Sequence, residues 1–60
     1  MQIHVFDAAR RLLETSRGDV FDVSEDVVAR SPPGELSESV KSFAVNQGWI
    51  DHADEVGVFA

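Results

Sequence analysis

Leu36, Val40, Phe43 and Ala44 fall at i, i+4, i+7 and i+8, the spacing that places apolar side chains on one stripe of an α-helix. The flanks agree. Pro32 and Pro33 suit a first turn, whose backbone N–H groups have no partner inside the helix, and Gly48 suits a left-handed exit. Trp49, one residue past that Gly, is placed to fold back onto the last turn near Ala44. The pattern predicts a principal helix at about residues 35–47, with the rest of the chain packed on its stripe.

Ahead of that helix, Gln2–Phe6 alternates weakly and is rich in β-formers, which predicts a strand with Ile3 and Val5 on one face and His4 and Phe6 on the other. Apolar side chains on both faces point to a central or covered strand. Asp7–Arg17 admits two readings. Propensity gives a short helix capped by Asp7, with Ala9, Leu12 and Leu13 inward and Gly18 at its end. Topology gives instead a continuation of the first strand into a long hairpin, with Ala9 and Leu13 on the face of Val5 and a turn near Thr15–Gly18. Propensity favours the helix, and the helix is the expectation. Asp19–Ser24 reads as a second strand. Ser24, Glu25 and Asp26 start a helix of at most two turns, through Val27–Ala29, which the two prolines stop. Past the main helix, Asp51–Glu55 is a polar connector, and Val56–Phe59 is a short strand weakened by Gly57. Left unpaired, that strand would be available to another copy. The fold class is α+β: one small domain over residues 1–60, two to three short strands on the principal helix, and one or two short helical pieces.

The fragments Ile3–Asp7 (IHVFD) and Phe21–Val23 (FDV) resemble the opening hairpin of a family of small bacterial domains of unknown function, which continue with a helix and a last strand. The resemblance covers these two fragments and lacks the cysteine-rich ending of that family. It implies the hairpin and carries no activity.

Size and charge narrow the function. At 60 residues the core supplies roughly 3–5 kcal/mol, and the chain has no Cys to add a disulfide or a thiolate metal site. Tight packing of a 43% apolar chain or self-association must therefore supply its stability. Eleven acids against five bases give a formal charge of −6. That balance disfavours direct nucleic-acid binding and anionic membranes, both of which need Lys and Arg. The imbalance grows along the chain: residues 31–60 hold five acids and only Lys41 as a cation. A basic protein surface would find its match there. No apolar run approaches the ~20 residues of a membrane span, and no basic region followed by an apolar block opens the chain, so the expected setting is cytoplasmic.

Asp51-His52-Ala53-Asp54-Glu55 is the densest group of potential ligands, but it lacks the alternating acids and central Gly of a calcium loop. It reads as a solvated connector. His4, beside apolar residues in a strand, reads as a hydrogen-bonded interior group rather than a base. No catalytic residue, metal ligand or cofactor is assigned, because a chain this short hardly encloses the ~300–1,000 Å³ of a substrate pocket. The residues assigned to partner binding are Glu35 and Glu38, neighbours on a helix surface, with Asp51, Asp54, Glu55 and the aromatic Trp49. These features lead to a small, acidic, non-catalytic protein-binding module. Its sharpest form is a phage or mobile-element inhibitor that occupies a basic surface of a host nucleic-acid-handling protein. The alternative is a self-associating accessory subunit, held by Val56–Phe59 and the helix stripe.

Overall fold

The structure, a computed structural model, describes residues 1–59. Its elements run β1 (Ile3–Asp7), β2 (Leu12–Glu14), β3 (Val20–Asp22), α1 (Glu25–Arg30), α2 (Leu36–Gln47) and β4 (Glu55–Phe59), with a 3-10 turn at Pro33–Glu35 leading into α2. The four strands form one sheet in the order β3-β2-β1-β4. The first three make an antiparallel meander, after which the chain crosses through both helices and lays β4 parallel to β1. The fold is a small α+β domain whose sheet has four strands, one beyond the upper end of the two to three expected.

The additional strand comes from Asp7–Arg17, which is not a helix. The Asp7 carboxylate accepts from the backbone N–H groups of Ala9 and Arg10, a local bond that competes with helical pairing. Arg11 then takes a left-handed conformation at φ 57°, and its carbonyl accepts from Val23 N–H. The chain thus reverses at residues 8–11, and Leu13 pairs with Phe6 on the buried face rather than sharing the face of Val5. An isolated helix of about eleven residues gains too little from propensity to outweigh burial of Leu13 in a sheet. The second turn lies where the hairpin alternative put it: Gly18 N–H donates to Thr15 O at 2.9 Å, with Gly18 at φ 92°.

The principal helix follows its pattern. Val40 and Ala44 are buried, while Leu36 and Phe43 pack at the margin of the core. Gly48 is left-handed at φ 79°, and Trp49 N–H donates back to Ala44 O at 2.9 Å. The Trp49 ring is half-buried: it stacks on Phe21 at 4.5 Å between centroids and meets Phe43 edge-on at 5.4 Å. α1 is six residues long, and Ser24 makes no side-chain cap bond. Ser31 instead closes this helix, its hydroxyl donating to Val27 O.

One core joins Phe6, Leu13, Val23, Val40, Ala44, Ile50 and Val56. Both helices lie on the sheet face that carries His4, Phe6, Leu13 and Val56. Among the described residues no element lies over the opposite face, and Ile3, Val5, Val20 and Phe59 are 62%, 38%, 58% and 52% exposed there.

Candidate functional site

Three segments remote in sequence meet at His4: the start of β1, the β2–β3 turn and the connector ahead of β4. The imidazole is fully buried. Ser16 N–H donates to its Nδ1 at 3.0 Å, so Nε2 carries the proton and donates to Asp54 Oδ2 at 2.8 Å. Asp54 also accepts from Gln2 N–H at Oδ1 and from Asp51 N–H at Oδ2, each at 3.1 Å. Serine, histidine and aspartate therefore touch, yet their roles differ from a nucleophilic relay. It is the serine backbone that meets the imidazole, while Ser16 Oγ donates to Gln2 Oε1 at 2.8 Å. Both ring nitrogens are occupied, and no ring edge reaches solvent. The group is a clasp that ties β4 and the β2–β3 turn to β1.

The clasp sets a pH response. The hydrogen bond from His4, then that from the Asp51 backbone, holds the Asp54 carboxyl at about 2 against an ordinary 3.8. The folded value lies below the unfolded one, so the stabilisation is fully present above about pH 4. It is lost as pH falls from 3.8 towards about 2. Urea unfolding midpoints measured across this window should fall steeply for the native chain. They should fall much less for Asp54→Asn, which has no carboxyl to protonate there. Parallel acid profiles for the two chains would refute the assignment.

The residues assigned to partner binding are distributed unevenly. Asp54 departs from the expectation of a solvated connector: it is buried, and internal donors occupy its carboxylate. Glu35 and Glu38 are exposed at the 3-10 turn and the first turn of α2. Glu38 and His52 help line an open depression of about 290 Å³ beside α2, together with Lys41, Ser42, Val45 and Asn46. Glu55 is exposed and pairs with Lys41 at 3.6 Å. Asp51 is exposed, with His52 Nδ1 at 3.3 Å from its carboxylate. Trp49 belongs to the aromatic cluster with Phe21 and Phe43, apart from these acids in its contacts. Among the described residues no group of three His, Asp or Glu side chains is arranged to hold a metal ion, and no helix is long and apolar enough to cross a membrane.

The uncovered sheet face was not assigned from sequence. Its registers alternate apolar and acidic residues across the strands: Phe59, Asp7, Leu12 and Asp22 in one row, then Gly57, Val5, Glu14 and Val20 in the next. A depression of about 140 Å³ opens there, lined by Val5, Asp7, Arg10, Leu12, Glu14, Val20 and Phe59. The apolar doublet Ile3 and Val5, opposite His4 and Phe6, was the available signal. Alternation alone does not say which face the helices cover. Comparison with protein-family models, with curated proteins and with solved structures finds no match for the chain.

Proposed function

We propose that the chain is a small, acidic, non-catalytic module that binds a protein partner by occupying a basic surface. One observation carries the reading. Glu14, Asp22, Glu25, Asp26, Glu35 and Glu38 are exposed, and none has a cation within 4 Å among the described residues. Their charge is left for an external cation, and paired charges on two surfaces steer association and select the partner. Inhibition of a host nucleic-acid-handling protein is the sharpest form, since such proteins carry the basic grooves that these carboxylates would fill. A cytoplasmic setting suits that role. The test is affinity capture with the tagged chain from host lysate, followed by elution with rising salt. A stoichiometric basic protein held at low salt and released at high salt is the expected result. Retention insensitive to salt, or capture of no basic protein, would overturn the reading.

A second reading is supported by the sheet edge. Among the described residues β4 has no neighbour on its outer side, and Val58 and Phe59 are exposed there. Edge strands are templates for pairing with another copy. The edge is partly blunted, because Ser37 Oγ donates to Val56 O at 2.6 Å. An accessory subunit that self-associates through β4 would show a melting temperature that rises with its concentration.

A further inference from the structure

We infer that the docking surface is the helix-free face of the sheet, and that its occupant is a polypeptide presenting Lys or Arg side chains interspersed with aliphatic ones. The inference rests on the protein-binding reading above and assigns its location and the chemistry of the partner.

The face combines two properties. Ile3, Val5, Val20 and Phe59 keep a third or more of their surface in water, and exposed apolar side chains grouped on one face mark interfaces. Asp7, Glu14 and Asp22 are set among them by strand register, each beside an apolar neighbour on the next strand. Arg10 is the one cation lining the depression, and its guanidinium Nε already lies 3.9 Å from Asp7. Glu14 and Asp22 have no such partner among the described residues. Opposite Val5 stands Gly57, whose missing side chain leaves Val5 accessible from the β4 side.

This arrangement selects among occupants. A second copy packed face to face would bring together two sets of three carboxylates with two guanidiniums between them. At least four buried anions would remain uncompensated, and burying a charge without a partner is strongly unfavourable. An anionic bilayer is repelled for the same reason. A partner that brings its own cations meets Glu14 and Asp22 directly, while its aliphatic side chains cover Val5, Leu12 and Val20. Apolar burial then provides affinity and the charges provide register.

The test uses the full chain and a synthetic peptide with the repeat Lys-Ser-Val-Ser, whose extended form shows Lys and Val in turn along one face. A control peptide has Glu in place of each Lys. Binding is followed by amide NMR shifts at physiological ionic strength, where the screening length is about 8 Å. Saturable shifts on β1, β2 and β3 are expected with the Lys peptide only. Glu14→Lys should weaken binding by at least about tenfold through like-charge contact. Gln47→Lys, which adds a positive charge at an exposed position of α2 away from the sheet face, should alter it by less than about twofold. Both positions are exposed, and unchanged melting temperatures confirm that each variant is folded. Binding lost with Gln47→Lys and kept with Glu14→Lys would move the site to α2, overturning this inference and sparing the basic-partner reading. No saturable binding of the Lys peptide would overturn both. Sedimentation of the native chain as a dimer that Glu14→Lys strengthens would assign the face to a second copy instead.

Discussion

Replacing His4 with Ala is expected to leave the chain unfolded at room temperature. The imidazole is fully buried, donates to Asp54 and accepts from Ser16 N–H. Its removal leaves a buried carboxylate short of its principal donor, a backbone N–H without an acceptor, and a void. Breaking a buried pair by deleting one member costs about 3–5 kcal/mol. A core in a chain of this size supplies roughly the same amount. Circular dichroism and amide NMR dispersion would show the loss directly. Asp54→Ala should be comparably damaging, because it strands Gln2 N–H and Asp51 N–H along with the imidazole. The double variant should lose less than the sum of the two, since both deletions break one interaction. A His4→Ala chain with the native urea midpoint would show that the clasp contributes nothing.

Phe6→Ala and Phe59→Ala apply one chemical change to opposite faces of the sheet. Phe6 is fully buried at the centre, paired with Leu13 on β2 and Val58 on β4. Its truncation should cost about 3–5 kcal/mol, the usual loss for a large aromatic in a core that cannot collapse around the void. Phe59 stands half-exposed beside Asp7 on the open face, and its truncation should change stability by less than about 0.5 kcal/mol. Urea unfolding of the two variants measures both. Equal losses would mean that something covers the open face in solution, and a reversal would mean that the strand register is shifted by one residue.

The contrast between these two phenylalanines shows where sequence reasoning reached and where it stopped. α2 was legible because its entry prolines, its stripe and its exit glycine all act within a few residues of one another. Asp7–Glu14 was not, because the deciding features are an aspartate bonding to nearby backbone and an arginine in a left-handed conformation. Aspartate bonds to nearby backbone in turns and at helix N-termini alike, so Asp7 suits both readings, and arginine carries no signal for a left-handed conformation. Asp54 was misplaced for a different reason. Its neighbours Asp51, His52, Ala53 and Glu55 are all exposed, and the partner that draws it inward lies 50 residues away in β1. The surplus of acid was plain in composition. Which acids share a surface with apolar residues depends on register between strands, and Glu14 enters the open face only because β2 pairs with both Val5 and Val20.

The parallel pairing of β1 with β4 also orders events during synthesis. As the polypeptide emerges, the β1–β3 meander is available long before Glu55–Phe59 can join it. In that interval β1, destined for the middle of the sheet, is a bare edge with Ile3, Val5 and Phe6 exposed to any passing strand. Closing so long a loop is entropically costly, and contacts distant in sequence form slowly. A product cut short in the connector would thus be neither a smaller domain nor an inert fragment. It would be a sticky three-stranded template, and disposal of such fragments, more than refolding, would fall to the quality-control machinery of the cell.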